Sequence, residues 1–375
     1  MKIGIICYPT YGGSGVVATE LGIELAKLGN EIHFISYEQP FRITGYQKNI
    51  YFHEVEVLEY PLFKYPPYSL SLSVKMAEIS EEYGLDIFHV HYAIPHAASA
   101  FLAKKILESN SGFKFITTLH GTDITIVGNH HSFYKLTKFC IENSDGVTCV
   151  SEYLKDLTEK TFHINSGKKI KVIYNFVDTE KYRKDKHDKE KTGIVKRDEA
   201  GIIHISNFRP VKNIKNVIEI FHRVSREVKA KLLLVGDGPD TSSAKEMAKN
   251  LGLEEKIVFL SRKDNVIPLL NSCDLYLLPS KSESFGVSAL EALSCGLPVI
   301  GTNVGGLNEV VIHDSCGFLY DPYDIEKMSA SAIGLLTDKS KFEKFALNAR
   351  NRALVFDSRK IIPEYIRFYE KILKE

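Results

Sequence analysis

Two cationic side chains stand close together in the segment NFRPVKN, residues 207–213. Arg209 and Lys212 follow a short apolar run and precede a helical pattern, so we expect them at the entrance to a helix. Fixed cations beside a helix N-terminus suit a diphosphate. Most Arg and Lys side chains, however, are simply solvated at the protein surface. The pair alone leaves both interpretations open.

Two glutamates accompany a short helix that is predicted at residues 286–295, in the segment SESFGVSALEALSCGLPVI. Ser282 and Ser284 are its candidate N-caps. Glu283 precedes the helix, and Glu291 interrupts its apolar residues. Each carboxylate either faces solvent or accepts two hydrogen bonds from vicinal hydroxyls, such as those of ribose. The free main-chain N–H groups at the helix start are further donors: Phe285, Gly286 and Val287.

A glycine-rich loop, YPTYGGSGVVATELG at residues 8–22, follows the first apolar run. Gly13, Gly15 and Ala18 match the G-x-G-x-x-A pattern of a dinucleotide site. The first glycine lies too far beyond the strand for that fingerprint, and the second half of the chain shows no hydride-transfer site. The amides of Gly13, Ser14 and Gly15 at a helix start favour an anion site over a tight structural turn.

Short apolar runs alternate with longer helical patterns along the whole chain. Most of the runs are continuous, which indicates strands that are covered on both faces. This alternation predicts an α/β chain with parallel sheets. The predicted strands are Ile3–Cys7, Ile32–Ser36, Ile87–Val90, Phe115–Leu119, Gly146–Val150, Ile170–Ile173, Ile202–Ser206, Lys231–Val235, Ile257–Leu260, Leu275–Leu278 and Pro298–Gly301.

A composition break separates two sets of strands. Residues 181–199, KYRKDKHDKEKTGIVKRDE, are dense in charge and poor in core residues, which is typical of an exposed connection. We therefore expect one α/β domain at residues 1–177 and a second at residues 178–356. Residues 357–375 carry apolar side chains at helical spacing, and we expect them to form a helix that docks on the first domain.

The overall composition excludes several classes of protein. The 375 residues are 44% hydrophobic and 25% charged, with a formal net charge of +1, which argues against nucleic acid or an anionic membrane as an obligatory partner. No apolar run approaches the roughly 18 residues of a spanning helix. The six cysteines show no C-x-x-C spacing, so we expect free thiols in the cytoplasm. His89, His91 and His96 could be metal ligands, but no nearby acid or cysteine completes a metal site, so a structural role is favoured.

Several ordered motifs resemble the retaining glycosyltransferases of family 4. These are Glu283 and Glu291 with seven residues between them, GLPVI, GGLNEVV at 305–311, and the upstream GGSG and FRPVKN. The resemblance covers nearly the whole chain. It is favoured over a dehydrogenase, the interpretation that the dinucleotide pattern of the opening loop alone would support. It implies the GT-B fold, in which two Rossmann-like domains with parallel sheets face each other across a cleft.

The resemblance also implies a role for each candidate residue. Arg209 and Lys212 would hold the donor diphosphate, Glu291 the ribose, and His120 would lie near the reacting carbon or the sixth hydroxyl of the sugar. The implied catalytic residues are His120, Arg209, Lys212 and Glu283. The implied donor-binding residues are Gly15, Asn207, Arg209, Lys212, Glu283, Phe285, Gly286, Val287 and Glu291. No D-x-D motif stands in a suitable position, so we expect catalysis without a metal or other cofactor.

Segments of the first domain are informative about the acceptor. EQPFR (38–42), HVHYAIPHA (89–97) and LHGTDIT (119–125) resemble family members that transfer N-acetylglucosamine from UDP-N-acetylglucosamine (UDP-GlcNAc) to L-malate, the first step of bacillithiol biosynthesis. Malate is a dianion and needs cationic and hydroxyl partners. Arg42 is a further cationic candidate, for which acceptor binding and a surface role are equally expected. The candidate acceptor-binding residues are Gly13, Ser14, Lys64, Tyr92 and Thr122.

No strong candidate base stands beside the acceptor, which favours retention by front-side attack with the leaving phosphate as proton acceptor. Four alternatives remain open: a transferase acting on inositol phosphate, one acting on a glycan, a UDP-sugar epimerase, and a non-catalytic nucleotide-sugar binding protein. The sequence leaves both a monomer and a homodimer open.

Overall fold

The structure is a computed structural model, and it divides the chain into two compact units. Unit 1 comprises Met1–Asn175 with Arg359–Glu375, and unit 2 comprises Phe176–Ser358. The sequence places the corresponding boundaries at residues 177 and 356. Part of the predicted charged connection, residues 186–191, lies outside the described residues. The residues that the structure describes are 1–10, 12–43, 45–107, 112–164, 170–185 and 192–375.

Within the described residues, unit 1 is built on one parallel sheet of seven strands. The strands are β1 (Lys2–Ile6), β2 (Glu31–Ser36), β3 (Ile50–Glu54), β4 (Ile87–His91), β5 (Lys114–Leu119), β6 (Gly146–Cys149) and β7 (Lys171–Val172). Their spatial order is β3-β2-β1-β4-β5-β6-β7, so the direction of winding reverses between β1 and β4. Every residue of β4 is buried, as expected of a strand that is covered on both faces.

Helices form most of the connections between these strands, as is usual for parallel pairing. Those of the described part of unit 1 that precede unit 2 are α1 (Ser14–Lys27), α2 (Tyr68–Tyr83), α3 (Ala98–Ile106), α4 (Thr122–Thr125), α5 (Tyr134–Asn143) and α6 (Glu152–Phe162). A short irregular turn, Ala93–Ala97, in which Ile94 is extended with a φ of −130° and a ψ of 136°, lies between β4 and α3.

Unit 2 repeats this plan with a parallel sheet of six strands in its described residues. The strands are β8 (Ala200–Ile205), β9 (Ala230–Val235), β10 (Ile257–Leu260), β11 (Leu275–Leu278), β12 (Val299–Thr302) and β13 (Gly317–Tyr320). Their order is β10-β9-β8-β11-β12-β13, so the winding reverses between β8 and β11.

Amphipathic helices cover the sheet of unit 2. The helix after β8 buries residues at i, i+3, i+4 and i+7, among them Ile214, Val217, Ile218 and Phe221, and this spacing forms one apolar face. The helices of the described part of unit 2 are α7 (Ile214–Glu227), α8 (Thr241–Asn250), α9 (Ile267–Asn271), α10 (Val287–Ser294), α11 (Ile325–Thr337) and α12 (Lys339–Ala353).

The C-terminal helix α13 (Ser358–Lys374) belongs to unit 1 for almost its whole length. Its Tyr365 and Tyr369 are fully buried, and the Tyr369 hydroxyl lies 2.7 Å from Nδ1 of His89 on β4. A Cβ on Gly146 of β6 would lie 2.9 Å from the ring of Phe368, so the helix packs closely on the sheet. None of the helices in the described residues is both long and apolar enough to cross a lipid bilayer.

The sequence does not predict two of the strands. Ile50–Glu54 and Gly317–Tyr320 form β3 and β13, which lie at the edges of the two sheets. An edge strand pairs on one side only, and β3 has no fully buried position. It therefore lacks the continuous apolar run that identifies the central strands.

Candidate functional site

The loops after β1 and β4 meet where the winding of unit 1 reverses. Ligands of α/β proteins bind at such a point, beyond the carboxyl ends of the strands. The loop after β1 leads to α1, which begins at Ser14, and the loop after β4 begins at Tyr92. Ser14 Oγ donates a hydrogen bond of 2.7 Å to the Tyr92 hydroxyl. The topology thus brings two predicted acceptor residues into contact.

Gly13 and Gly15 flank Ser14, and each has a structural requirement of its own. Gly13 has a φ of 59° and a ψ of −128°, a conformation that favours glycine. A Cβ on Gly15 would lie 2.6 Å from the main-chain oxygen of Tyr8 and 2.7 Å from that of Thr10. Packing of α1 against the preceding loop accounts for Gly15, and the ligand contacts of both glycines stay predictions.

The backbone of Tyr92 is held in a left-handed conformation with a φ of 88°. Such a conformation is unfavourable for a bulky residue and persists only where the surroundings enforce it. Here the Tyr92 N–H donates to the Thr118 carbonyl over 2.9 Å, and the Tyr92 carbonyl accepts from the Ala97 N–H over 3.3 Å. This strained turn presents the Tyr92 hydroxyl to Ser14.

Asp123 ties the loop after β4 to the loop after β5. Its Oδ2 accepts from the Ala93 N–H over 3.2 Å, and its Oδ1 accepts from the N–H groups of His120 and Gly121 over 3.2 and 2.9 Å. Burial raises the pKa of Asp123 to about 6, although the three N–H groups favour the ionised form. The sequence prediction does not include this residue. Its signal is an acid at the start of a helix directly after a strand.

We expect turnover to fall as the pH is lowered through about 6, because Asp123 then becomes protonated. A protonated carboxyl group has fewer accepting positions for its three N–H partners, so the loops that carry Tyr92 and His120 loosen. The measurement is the pH profile of kcat/KM. In Asp123→Asn an amide nitrogen would face a main-chain N–H, and two donors cannot form a hydrogen bond. Activity should therefore be low at every pH, and the pH profile should show no inflection near 6. An unchanged inflection in this variant would assign the titration to another group.

His120 lies beside Tyr92 and is joined to His91. The ring centroids of His120 and Tyr92 are 5.4 Å apart, and His120 Nε2 lies 2.8 Å from Nδ1 of His91. Burial lowers the pKa of His120 to about 3 and that of His91 also far below its ordinary value. Both rings are therefore neutral at neutral pH. The structure brings the predicted His120 together with Ser14 and Tyr92.

The other histidines of this region have structural partners. His89 contacts the Tyr369 hydroxyl and Thr118 Oγ1 at 2.7 and 2.6 Å, and His96 Nδ1 donates to the main-chain oxygen of His91. In the part of the chain that the structure describes, no three His, Cys, Asp or Glu side chains form a group that could hold a metal ion. The arrangement favours the structural role that the sequence indicates.

The remaining acceptor candidates differ in their surroundings. Thr122 is exposed at the start of α4. Lys64 is exposed between β3 and α2, with Nζ 5.5 Å from the ring centroid of Tyr65, and no contact among the described residues joins it to Ser14 or Tyr92. Arg42 Nη1 donates to Glu20 Oε1 over 2.8 Å. Its charge is already paired, which makes Arg42 a weaker candidate than the sequence suggests.

In unit 2 the corresponding reversal lies between β8 and β11, and the segment NFRPVKN follows β8. Phe208 is fully buried with a φ of 39°, and it anchors this loop. Its neighbours Asn207 and Arg209 are exposed. Lys212 closes a short 3-10 turn that begins at Pro210. The fold thus presents the predicted phosphate ligands at the carboxyl edge of the sheet.

A pair of glycines after β9 supports this loop, and the sequence prediction does not include them. A Cβ on Gly236 would lie 1.8 Å from the main-chain oxygen of Ser206, and one on Gly238 would lie 2.0 Å from that of Asn207. Only glycine permits so close a backbone approach. The signal is the G-x-G spacing in VGDGP, directly after a predicted strand.

Lys212 and Glu283 form an ion pair across the reversal point. Lys212 Nζ lies 2.6 Å from Glu283 Oε1, which also accepts a hydrogen bond of 2.8 Å from Ser280 Oγ. The two side chains are 23% and 9% exposed, so solvent screens the pair only in part. The main chain joins the same loops, because the Lys281 N–H donates to the Val211 carbonyl over 2.8 Å. Two predicted residues, 71 positions apart, are therefore held in contact.

The helix after Glu283 begins differently from the prediction. Its N-cap is Gly286, with a φ of 96° and no side-chain cap, so Ser282 and Ser284 do not cap it. The left-handed backbone explains the choice of glycine, and a Cβ there would also lie 2.8 Å from Leu307. Helix α10 runs over Val287–Ser294, close to the predicted residues 286–295.

The N–H groups at the start of α10 lack intrahelical acceptors, and they follow Glu283 within a few residues of the chain. Phe285 is buried, with its ring 5.5 Å from that of Phe356, so its side chain serves packing. Glu291 on α10 is 8% exposed. The edge of unit 2 combines cations, helix N–H groups and carboxylates, a set that suits a phosphate compound carrying hydroxyl groups.

Two family models match the chain in succession. One described as Glycosyltransferase Family 4 matches residues 11–181, and one described as Glycosyl transferases group 1 matches residues 185–352. The N-acetyl-alpha-D-glucosaminyl L-malate synthase of Bacillus anthracis is 46% identical to this chain over 377 residues, which cover 100% of this chain and 98% of that protein.

Solved structures are similar over the full length. Sucrose-phosphate synthase from Thermosynechococcus elongatus matches with a TM-score of 0.83 at 18% identity, covering 100% of this chain and 99% of that one. HepE from Anabaena, solved with UDP and glucose, matches with a TM-score of 0.79 at 20% identity, covering 99% of each chain. This likeness confirms the predicted fold class, the α/β GT-B fold with two Rossmann-like units.

Proposed function

The chain belongs to the glycosyltransferases of family 4 and group 1, and from this premise we propose that it transfers N-acetylglucosamine from UDP-GlcNAc to the hydroxyl group of L-malate. The observation that carries the proposal is the 46% identity, over the whole chain, with an N-acetyl-alpha-D-glucosaminyl L-malate synthase. The two sheet edges support it, because one offers cations and helix N–H groups and the other offers hydroxyl groups.

Unit 2 would bind the donor. Arg209 is exposed and Lys212 is partly exposed, and together they would neutralise the diphosphate. The ion pair with Glu283 fixes Lys212 before the donor arrives, so little ordering is required on binding. Glu283 would then contact the sugar, and Glu291 would accept hydrogen bonds from the ribose hydroxyls.

Unit 1 would bind the acceptor. Ser14 Oγ donates to the Tyr92 hydroxyl over 2.7 Å, and the Tyr92 O–H can in turn donate to a carboxylate. The main-chain N–H groups at the start of α1 favour an anion at the same place. Lys64 would supply the formal positive charge that a dianion needs, and Thr122 a further hydroxyl group.

The reaction would proceed with retention by front-side attack. The malate oxygen bonds to the anomeric carbon, the bond from that carbon to the diphosphate breaks, and the malate proton passes to the departing phosphate oxygen. Asp123 does not serve as the base, because three N–H groups occupy its buried carboxylate. Arg209, Lys212 and the N–H groups of α10 would stabilise the charge that develops on UDP, the dominant contribution in sites of this kind.

We propose that no divalent metal takes part, because Arg209 and Lys212 already supply the charge that a metal would bring to the diphosphate. Activity should be unchanged after extensive dialysis and in an excess of chelator. Chelator that is saturated with calcium beforehand controls for effects of the chelator itself. A loss of activity that magnesium or manganese restores would contradict the proposal.

We propose that the reaction takes place in the cytoplasm. All six cysteines lie in the described part of the chain, and each is buried and forms no disulfide, which suits a reducing compartment.

The decisive experiment incubates the pure protein with UDP-GlcNAc in the presence and in the absence of L-malate. We expect UDP release that depends on malate and a product in which the α-configuration is kept. Epimerised donor without acceptor would instead support an epimerase. Turnover with an inositol phosphate or a glycan end, but not with malate, would assign the chain another acceptor. Binding of UDP-GlcNAc without turnover on any acceptor would support a binding protein.

A further inference from the structure

We infer that His91 is a positioning residue that decides which ring nitrogen of His120 carries the proton, so that His120 presents an Nδ1–H donor to the substrate site. The inference deepens the proposed function and rests on it for the identity of that site. It stands on the geometry of three rings in unit 1 and on a buried nitrogen atom.

The rings of His89, His91 and His120 form a continuous stack. The centroids of His89 and His91 are 4.5 Å apart at an interplanar angle of 28°, and those of His91 and His120 are 5.0 Å apart at 22°. Nδ1 of His91 lies 2.8 Å from Nε2 of His120, the distance of a hydrogen bond. One of these two nitrogens must donate and the other must accept.

Both rings are neutral, which restricts the choice to two arrangements. His91 is fully buried, and burial lowers the pKa of both groups. Each ring therefore carries one proton, on Nδ1 or on Nε2. Either His91 donates from Nδ1, and His120 is protonated on Nδ1, or His120 donates from Nε2, and His91 is protonated on Nε2.

The other nitrogen of His91 decides between the arrangements. Its Nε2 is buried, and no partner for it exists among the described residues. A proton on that atom would create a buried N–H group without an acceptor, which is the rarer and more costly defect, whereas a bare lone pair is tolerated better. The proton of His91 therefore sits on Nδ1 and is donated to Nε2 of His120.

His120 is thereby fixed in both its backbone and its ring. Its N–H is bound to Asp123 Oδ1, and its Nε2 accepts from His91, so Nδ1–H is the one N–H donor that the ring has left. His120 is half-buried, and its ring lies beside that of Tyr92. Its role is that of a neutral hydrogen-bond donor to the sugar or to malate, and it cannot accept a proton on Nδ1.

The test is nitrogen NMR of the histidine rings, recorded on the full chain without substrate. Histidine labelled with ¹⁵N is introduced, and His120→Gln assigns the signals of His120. We expect His120 to be protonated on Nδ1 and bare on Nε2. His91→Phe retains a stacked ring but no donor, so the Nε2 signal of His120 should move to that of a ring nitrogen without a hydrogen bond. In His91→Asn the amide nitrogen takes the place of Nδ1 and should restore the hydrogen-bonded Nε2 signal.

Kinetics separate positioning from mere packing. We expect His91→Phe to lower kcat at least about tenfold with little change in the malate KM, and His91→Asn to recover most of that loss. His131→Phe, at an exposed position of the same unit, is the matched control. A wild-type His120 protonated on Nε2, or an unchanged His120 signal in His91→Phe, would overturn the inference. Because the NMR needs no turnover, absence of malate-dependent activity beside the expected spectrum would refute only the proposed function.

Discussion

Replacing Lys212 by alanine is expected to lower kcat/KM for UDP release by about 30- to 900-fold. Loss of one charge-assisted contact to a departing phosphate costs about 2–4 kcal/mol in the transition state. The structure adds a second effect, because Lys212 is the cation that lies 2.6 Å from Glu283. Without it, a carboxylate that is 9% exposed would stand beside the diphosphate and repel it.

A double variant separates the two effects. Glu283→Gln in the Lys212→Ala background removes the repulsion, so it should lower the donor KM again without restoring kcat. Lys215→Ala removes an exposed lysine at the start of α7 and serves as the matched control. Circular dichroism and the thermal midpoint establish that the variants fold. If Lys212→Ala keeps the wild-type kcat/KM, Lys212 does not belong to the phosphate site.

Replacing Lys64 by alanine is expected to raise the malate KM by about 30- to 150-fold and to leave the UDP-GlcNAc KM nearly unchanged. A charge-assisted contact to a bound carboxylate contributes about 2–3 kcal/mol. Lys64 is exposed, and no carboxylate among the described residues lies within ion-pair distance of it, whereas Arg42 is paired with Glu20. Lys64 is therefore the better available cation for a dianionic acceptor.

Initial rates with each substrate varied in turn provide the measurement. Lys48→Ala removes another exposed lysine of unit 1 and should change neither KM. A raised donor KM in Lys64→Ala would assign Lys64 to the donor. If neither KM changes, Lys64 is a surface lysine, and the N–H groups at the start of α1 with Ser14 must hold malate.

The sequence predicts the central strands well, because a strand that is covered on both faces must be apolar throughout. It misses β3, whose residues are all at least partly exposed at the sheet edge. It also assigns the cap of α10 to serines, although the left-handed backbone at Gly286 makes that residue the cap. Side-chain capping is a local preference, and here the positive φ of 96° at Gly286 determines the residue instead.

The sequence predicts the individual residues of the candidate site, but not which of them contact each other. Ser14 and Tyr92 are recognisable from their loops, yet their contact depends on β1 and β4 being neighbours in the sheet. The same holds for Lys212 and Glu283 at β8 and β11. Asp123 has a sequence signal at a helix start, but one of its three main-chain N–H partners depends on β4 and β5 being neighbours in the sheet.

The position of α13 has a consequence for biosynthesis. Unit 1 is completed by a segment that follows the whole of unit 2 in the chain. While the polypeptide emerges from the ribosome, unit 2 can therefore close as soon as its own residues are available. Until α13 has been synthesised, the face of the unit 1 sheet on which Tyr365 and Tyr369 pack stays uncovered. A nascent chain that stalls after unit 2 would expose this apolar face, and it is the species that we expect chaperones and proteases to recognise first.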